Sequence, residues 1–347
     1  MSEPTTTPGA DPATTRINRD ETEVGSVFVS NYPAYSFWDE EDVPKARQAL
    51  ASPPNPDSQL GLYLHIPFCR KRCKFCYFRV YTDKNADQIQ TYLDALAREV
   101  EHYAQQPAIQ GRPLHFVYFG GGTPSYISSR HLRALVERIK DVMPWDQADE
   151  IAFECEPGTL TKAKLETIRD IGVTRLSLGL ENLNDEILHH NGRAHVSKEI
   201  YQAMPWVKEL DFDQVNVDLI AGMVGETWER WRETVQKTID LDPDTVTVYQ
   251  MELPYNTVYS KDLLSGDSEA IPLADWKTKR AWHAYAFEQF AAAGYTRSSA
   301  YTMKKTPEAR FVYRDAVWTG QDMIGAGVAS FSHMNGVHYQ NAPRWED

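Results

Sequence analysis

The stretch "LGLYLHIPFCRKRCKFCYFRVY" (residues 60–81) joins an apolar run to three closely spaced cysteines. Residues 60–67 have the length and apolar character of a strand buried in a sheet. Cys69, Cys73 and Cys76 follow directly, in a C-x3-C-x2-C pattern. The sequence therefore predicts that a buried strand delivers three thiols to a loop at one edge of a sheet.

The number and spacing of these thiols limit what they can bind. Three thiolates do not complete the tetrahedral shell of a structural zinc ion, and no histidine follows at the usual spacing to supply the fourth ligand. Three thiolates do suit a [4Fe–4S] cluster with one iron left open, because soft sulfur ligands favour such clusters. We therefore predict that Cys69, Cys73 and Cys76 are metal ligands. A chance grouping or a degraded zinc site is the alternative.

Basic side chains lie among the cysteines. The run consists of Arg70, Lys71, Arg72, Lys74 and Arg79 and is the densest positive patch of the chain. Such a patch can hold an anionic cluster or substrate, or it can be an ordinary solvated loop.

Five more short apolar or alternating runs follow, and each is typical of a strand. They are residues 114–121, 150–157, 175–181, 214–222 and 245–252. Helical patterns separate them, at residues 86–106, 128–143, 161–172, 184–210 and 227–241, and a further long helix is predicted at 273–295. Strand and helix thus alternate six times, which predicts an α/β fold of parallel strands, a partial (β/α)6 TIM-type barrel. In such folds the functional residues gather at the carboxyl ends of the strands.

The pattern also divides the chain. Residues 1–25 are rich in Thr, Pro, Ala and Asp and are predicted to be disordered. Residues 26–58 form an N-terminal extension, residues 59–252 form the barrel, and residues 253–347 form a short C-terminal α/β extension that covers the site. No run of 18 apolar residues is present, so we expect no membrane span.

Composition excludes some partners and suggests a compartment. The chain has 36 basic and 49 acidic residues, a formal net charge of −13, which argues against a nucleic-acid or anionic-membrane partner. Four cysteines in 347 residues are not a disulfide framework, and the N-terminus lacks the pattern of a secretion signal. We therefore expect a cytoplasmic protein.

A glycine run, "GGGTP" at residues 120–124, follows the second predicted strand. Backbone without side chains lets a ligand approach closely, and Thr123 adds a hydroxyl group. In isolation the run is equally typical of a tight turn. Its place one strand after the cysteines favours a shared pocket.

Together, Y-x-H-x-P-F-C-x3-C-x-F-C and GGGTP resemble the radical S-adenosylmethionine (SAM) superfamily, and within it the branch of oxygen-independent coproporphyrinogen III oxidase. The resemblance spans about residues 60 to 341. It implies that the open iron of a [4Fe–4S] cluster binds the amino and carboxylate groups of SAM. It also implies that an electron from the cluster cleaves SAM to a 5′-deoxyadenosyl radical, which abstracts hydrogen.

The same resemblance assigns further residues to SAM. Tyr63 matches a SAM-contacting tyrosine, and Phe75 matches an aromatic residue against the adenine. The glycine-rich contact corresponds to Gly121, Gly122 and Thr123, and the acid that binds the cluster-bound SAM corresponds to Glu154. Residues of a second SAM molecule, present in certain members, correspond to Glu181, Arg193 and Asp218. A tail segment that lines the SAM pocket corresponds to Trp318, Ile324, Gly325, Gly327 and Ser330. Considered without the motifs, each of these residues could equally be a core residue, a polar residue at the end of a strand or a surface residue.

Four features depart from the coproporphyrinogen oxidase branch. Phe78 stands where the oxidase has a fourth cysteine, and Glu181 replaces a glutamine of the second SAM site. The haem chaperones of the branch carry H-N-x-x-Y-W where this chain has "VYRDAVW" (312–318). The sequence also stops just after residues 338–341, where relatives continue, so it is either a piece of a longer protein or a member with an open site.

These departures argue against identity with the oxidase itself. The retained Arg193 and Asp218, with no fourth cysteine, resemble two other groups of the branch, the two-SAM C-methyltransferases and the cyclopropane-forming enzymes, and we therefore expect such an enzyme, acting on an unsaturated or heteroaromatic small molecule. The alternatives are oxidative decarboxylation of coproporphyrinogen III, a haem chaperone that keeps the cluster, and a structural zinc protein. The predicted cofactors are the cluster and SAM, with a second SAM molecule. The predicted partner is a one-electron donor such as flavodoxin or ferredoxin. No residue is assigned to catalysis, and Cys155 is interpreted as a buried free thiol.

Overall fold

One sheet of eleven strands organises the protein in a computed structural model that describes residues 37–254, 256–265 and 273–346. The strand order is β11-β10-β9-β1-β2-β3-β4-β5-β6-β8-β7. The predicted disordered tail, residues 1–25, lies outside the described residues. No helix in the described ranges is both long enough and apolar enough to cross a membrane.

The six predicted strands are present and parallel, so the predicted α/β partial barrel is confirmed. Their bounds differ from the prediction by at most two residues. They are β1 (Leu60–Ile66), β2 (Leu114–Gly121), β3 (Glu150–Cys155), β4 (Arg175–Glu181), β5 (Gln214–Ala221) and β6 (Thr245–Gln250). Between the described strands at the two ends of the sheet, β7 and β11, no ladder forms, so the barrel is open.

One helix, α1 (Val43–Ala51), precedes β1, and the other helices lie between strands, as the alternating pattern predicts. These are α2 (Ala86–Ala104), α3 (Ser129–Val142), α4 (Lys162–Asp170), α5 (Asp185–His190), α6 (Ser197–Glu209), α7 (Trp228–Leu241), α8 (Val258–Ser265), α9 (Trp276–Ala292) and α10 (Val312–Trp318). The side chains of Ser128 and Thr161 cap α3 and α4 by accepting from the backbone N–H groups three residues on. Local sequence therefore sets where these helices begin.

The C-terminal residues extend the sheet at both ends. The added strands are β7 (Thr296–Arg297), β8 (Thr302–Lys304), β9 (Asp322–Ala326), β10 (Phe331–Met334) and β11 (Val337–Gln340). β9 pairs with β1 in parallel and becomes a seventh parallel strand, which the periodicity did not predict. β8 pairs antiparallel with β6 on the other side. The division of the chain into an N-terminal extension, a barrel and a C-terminal extension stays a prediction.

The amino-terminal end of the barrel is filled by α10. The Glu150 carboxylate, at the first residue of β3, accepts hydrogen bonds from the backbone N–H groups of Val312 (3.1 Å) and Tyr313 (3.0 Å). The Arg175 guanidinium, at the first residue of β4, lies 4.3 Å from the centre of the Phe311 ring. Because this end is filled, a ligand must enter from the carboxyl ends of the strands.

Candidate cluster and cofactor site

The loop after β1 holds the three cysteines and is anchored at both of its ends. The Cys69 N–H donates to the Tyr81 carbonyl (3.1 Å), and the Tyr81 N–H donates to the Pro67 carbonyl (2.7 Å). All three cysteines are free thiols and half-buried. The structure therefore places them together at the carboxyl end of β1, as the sequence predicts, in a loop whose base is fixed by backbone hydrogen bonds.

Two polar side chains from distant segments reach the thiols. The Thr123 hydroxyl donates to Cys69 Sγ (3.3 Å), and Arg193 Nη1 donates to Cys73 Sγ (3.4 Å). Burial raises the pKa of the Cys69 thiol to about 12 and that of the Cys76 thiol to about 11, and the neighbouring thiols raise both further. Binding of a metal centre must therefore expel protons, and the Arg193 charge favours the thiolates that result.

The donor set fits an iron–sulfur cluster. Cys73 lies close enough to the Cys69 and Cys76 thiols to raise the pKa of both, and the Arg193 guanidinium faces the Cys73 thiol. Among the described residues, no three His, Cys, Asp or Glu side chains are grouped so that they could hold a single metal ion. Soft thiolate ligands, one position left open and an adjacent cation are what a multinuclear iron–sulfur centre needs.

The glycines at the end of β2 let this strand approach the end of β1 closely. Gly121 has φ +112°, and a Cβ there would lie 2.6 Å from the His65 ring. A Cβ on Gly122 would lie 2.8 Å from the Pro67 carbonyl carbon, and its N–H donates to the Ile66 carbonyl (2.8 Å). Only glycine fits at these positions, because the backbone of β2 passes directly against the start of the cysteine loop.

Three carboxylates lie in the carboxyl-terminal halves of the next three strands. Glu154, Glu181 and Asp218 come from β3, β4 and β5. Burial raises the pKa of Glu154 and of Glu181 to about 7 each, and the Asp218 carboxylate raises both further. Burial also raises the pKa of Asp218, although Asn216 and Ser177 donate to it at 3.0 Å each. The structure thus brings the three predicted acids into one electrostatic cluster.

Arg193 connects this acid cluster to the thiols. Its Nη1 lies 3.5 Å from Glu181 Oε1, and its Nη2 donates to the Gly179 carbonyl (2.6 Å). The side chain is 10% exposed, and within the described residues its buried Nε has no hydrogen-bond partner. A buried donor without a partner, beside carboxylates, suits a ligand that carries both a carboxylate and an ammonium group, such as the methionyl part of SAM.

The Glu181 backbone is strained at this point. Its φ is +62°, in the left-handed region that residues other than glycine seldom adopt, and the β4–β5 register shifts here. Such strain persists only where the surroundings hold it, and it occurs often at ligand sites. Here the strained backbone directs the Glu181 carboxylate to Arg193.

The two predicted aromatic contacts occupy different surroundings. Tyr63 lies inside the barrel, with its hydroxyl 3.2 Å from His65 Nδ1 and its ring stacked on Tyr118 at 5.8 Å. Phe75 packs against the apolar cluster that includes Met223 and Met251. The contact of Tyr63 with SAM and that of Phe75 with adenine stay predictions.

Sequence reasoning missed two tyrosines and a histidine. Tyr118 donates a hydrogen bond to Glu154 Oε1 (2.7 Å), and Tyr313 of α10 lies 4.3 Å from Tyr118, ring centre to ring centre. His65 is 5% exposed, and its Nε2 has no partner in the part of the chain that the structure describes. Alternation along β2 could have found Tyr118, but no local signal brings Tyr313 into the barrel.

The tail segment assigned to the SAM pocket lies beside β1. Gly325 pairs with Tyr63 in the β9–β1 ladder, and Ser330 is buried. Trp318, by contrast, is 65% exposed at the end of α10. A role of this segment in binding SAM stays a prediction.

Comparison with known proteins gives one family match and several relatives. The model of the radical SAM superfamily matches residues 63–238. An oxygen-independent coproporphyrinogen III oxidase from Synechocystis is 30% identical over 72% of this chain and 53% of the relative. The haem chaperone HemW from Haemophilus influenzae is 30% identical over 58% of this chain and 53% of the relative. The chain thus aligns with about half the length of each.

A solved structure resembles the whole described fold. The coproporphyrinogen III oxidase HemN from Escherichia coli, described as a radical SAM enzyme, superposes with a TM-score of 0.80 at 25% identity. The superposition covers 92% of this chain and 74% of that protein.

Proposed function

Because the chain belongs to the radical SAM superfamily, we propose that its cysteine loop holds a [4Fe–4S] cluster and that the protein performs radical chemistry on a tetrapyrrole. Members of this superfamily use a [4Fe–4S] cluster and SAM. When bound, these groups supply a 5′-deoxyadenosyl radical that removes a hydrogen atom from the substrate. The placement of Arg193, between the Cys73 thiol and the Glu181 carboxylate, is the observation that carries the proposal.

In this proposal, the chain's own residues hold and orient the cofactors. Cys69, Cys73 and Cys76 supply three thiolates, and the fourth position remains open for SAM. Gly121 and Gly122 let the end of β2 pass directly against the start of the cysteine loop, so that both strand ends border the open position. Glu154 holds its ammonium group, because a carboxylate that is fixed by Tyr118 and the Gly121 N–H is already oriented. A second SAM molecule at Glu181, Arg193 and Asp218 is part of the proposal.

The relatives indicate the class of substrate. Their names refer to coproporphyrinogen III and to haem, and both are tetrapyrroles. The open end of the barrel also carries aromatic rings, against which the pyrrole rings of a tetrapyrrole can pack. Tyr249 lies on the inner face of β6, since it pairs with Ile220 two residues after Asp218, and it is 47% exposed. Its ring stacks on Tyr301 at 6.1 Å, and together they offer an aromatic face to a macrocycle.

The first candidate reaction is oxidation of a porphyrinogen, as in the coproporphyrinogen III oxidases that this chain resembles. The second candidate is haem handling, which the 30% identity to HemW over 203 residues favours. The sequence at 312–318, which lacks the H-N-x-x-Y-W pattern, weighs against the second. The methyltransferase or cyclopropane-forming hypothesis, favoured from sequence, receives no support from the relatives described above.

One anaerobic experiment tests the proposal. The cluster is reconstituted, and dithionite and methyl-deuterated SAM are added with and without coproporphyrinogen III. We expect 5′-deoxyadenosine, increased by the substrate, together with a decarboxylated porphyrinogen, all measured by mass spectrometry. Formation of S-adenosylhomocysteine together with a deuterium-labelled product would restore methyl transfer. Stoichiometric haem binding without 5′-deoxyadenosine would favour the chaperone, and zinc without iron or sulfide would refute the proposal.

A further inference from the structure

Residues 191–195, which follow α5, contact both the cysteine loop and β4. The Asn191 carbonyl accepts a hydrogen bond from the Lys74 N–H in the cysteine loop (3.1 Å), and Arg193 contacts carbonyl and carboxylate oxygens of β4. His195 is only 2% exposed, and the function proposed above gives it no role. Because a buried polar side chain is normally fixed by hydrogen bonds, the partners of His195 indicate what it does.

The His195 ring lies between a carboxyl group and a backbone carbonyl. Its Nδ1 is 2.8 Å from Glu156 Oε1, just after β3, and its Nε2 is 3.3 Å from the Leu180 carbonyl oxygen in β4. The ring donates to both oxygens as an imidazolium, or a protonated Glu156 donates to Nδ1 and the ring donates from Nε2. The remaining forms of the pair would set two lone pairs against each other. An N–H therefore faces the Leu180 carbonyl.

Glu156 is held through one of its two carboxyl oxygens. Besides the contact with His195, Oε1 accepts from the Gly158 N–H (3.1 Å) and lies 3.6 Å from an Arg70 nitrogen. The Glu156 side chain is 9% exposed, and its Oε2 has no hydrogen-bond partner in the part of the chain that the structure describes. Because these contacts fix the carboxyl group, that group in turn sets the orientation of the His195 ring.

The carbonyl that His195 contacts also closes a strained turn. The Asn182 N–H donates to the Leu180 carbonyl (2.7 Å), and Glu181, the residue between them, has φ +62°. A three-residue turn with positive φ at its centre is the rare, strained form of the γ-turn. Such a conformation persists only where surrounding contacts hold it. Here His195 holds the Leu180 carbonyl, and Arg193 holds the carbonyl before it.

We propose that His195 and Glu156 are positioning residues that hold the γ-turn at Glu181, so that the Glu181 carboxylate and Arg193 are oriented to bind SAM. This inference rests on the proposed function, because it assumes that SAM binds at these two side chains. The pair acts only through the backbone of β4. Without a donor at the Leu180 carbonyl, the turn relaxes toward ordinary strand conformation, and the Glu181 carboxylate moves away from Arg193.

Two substitutions of His195 separate its two hydrogen bonds. The amide nitrogen of glutamine reaches about as far from the backbone as Nε2 does, and that of asparagine about as far as Nδ1. His195→Gln therefore keeps a donor for the Leu180 carbonyl, whereas His195→Asn keeps only the contact with Glu156. We expect His195→Asn to raise the apparent KM for SAM at least about tenfold in dithionite-driven formation of 5′-deoxyadenosine, and His195→Gln to stay within about threefold of the wild type. Glu156→Ala, which frees the ring, should behave like His195→Asn.

Hydrogen exchange tests the turn without any cofactor. The Asn182 amide is protected by its hydrogen bond to the Leu180 carbonyl. In the protein without cluster and SAM, one amide in a peptide that spans residues 178–184 should exchange at least about tenfold faster in His195→Asn than in the wild type or in His195→Gln. A general loss of stability would speed exchange throughout the chain, so a peptide from α2 is the internal reference.

A matched control makes the same substitution at another histidine beside an acid. His115 lies 3.6 Å from Asp149, near the amino-terminal end of β2 and away from the site. We expect His115→Asn to leave the KM for SAM, and exchange within residues 178–184, within about twofold of the wild type.

Three results would overturn the proposal. They are an unchanged KM for SAM in His195→Asn, equal losses in His195→Asn and His195→Gln, and faster exchange at the turn without a higher KM. Absence of SAM cleavage in the wild type would instead refute the proposed function. The exchange comparison would then still decide whether His195 holds the turn.

Discussion

The Arg193 guanidinium lies between the cysteine loop and the acid cluster, with Nη1 3.4 Å from Cys73 Sγ and 3.5 Å from Glu181 Oε1. These residues lie on three different segments of the chain. A cation in this position stabilises a thiolate on one side and a carboxylate on the other. It therefore links the two halves of the candidate site.

Replacement of Arg193 tests this link. Arg193→Ala leaves Glu181 buried without its counter-ion, so we expect the free energy of unfolding to fall by about 3 kcal/mol. Iron and sulfide per chain after reconstitution should also fall. Arg230→Ala is the control, because Arg230 pairs with Glu186 at the surface, and it should cost less than about 1 kcal/mol. Unchanged stability and cluster content in Arg193→Ala would contradict the assignment.

Replacing each cysteine in turn distinguishes the metal ligands from a cysteine that only packs in the core. Replacement of Cys69, Cys73 or Cys76 by Ala should abolish 5′-deoxyadenosine formation and lower iron and sulfide, because each thiolate is one of three ligands. Cys155 is buried in β3, so Cys155→Ala should cost about 1 kcal/mol of stability and leave iron and sulfide at the wild-type level. The ligand set would be refuted if Cys155→Ala lost its iron, or if the variants of Cys69, Cys73 and Cys76 all kept theirs.

The burial of the Glu154 carboxyl group predicts that the stability of the protein without cofactors depends on pH. Its pKa is raised from 4.5 to about 7 by burial, so the native state binds this proton more tightly than the unfolded state does. The contribution of Glu154 is therefore most favourable below its unfolded pKa and declines as pH rises toward about 7. Glu154→Gln should remove this decline. Denaturant unfolding at about pH 5 and at about pH 8 measures the change in the free energy of unfolding between the two conditions.

The expected result is that Glu154→Gln gains stability relative to the wild type on going from the lower to the higher pH. The exposed Glu137→Gln is the control for loss of one carboxylate. Parallel pH profiles in the wild type and Glu154→Gln would show that the carboxyl group is not perturbed by burial.

Trp345 fixes the base of the cysteine loop from the far end of the chain. Its ring stacks on Tyr92 at 5.2 Å, and its backbone N–H donates to the Tyr81 hydroxyl (3.0 Å). Trp345→Ala should lower the free energy of unfolding by about 1–2 kcal/mol and speed proteolysis within residues 67–85. Trp318 is 65% exposed, so Trp318→Ala should change neither. Equal behaviour of the two variants would show that the Trp345 contact is not stabilising.

Sequence and structure agree most closely on the strands and on the thiol-bearing loop. The prediction of β1 from residues 60–67, and of the cysteines directly after it, needed only local periodicity and spacing. The glycine run was predicted as a ligand contact, and the structure adds the reason for its composition: a Cβ on Gly122 would meet the Pro67 backbone. The acids Glu154, Glu181 and Asp218 were predicted by resemblance, and their shared electrostatic cluster became visible only in the fold.

By itself, the sequence determined the parallel α/β order, the helix starts and the position of three thiols at the carboxyl end of β1, because periodicity, caps and spacing act within a few residues. Only the tertiary structure decided that β9 pairs with β1, that Tyr313 enters the barrel and that Arg193 reaches Cys73. These contacts join segments more than a hundred residues apart. They depend on which buried surfaces and charges meet when the sheet forms, and local sequence patterns do not determine this.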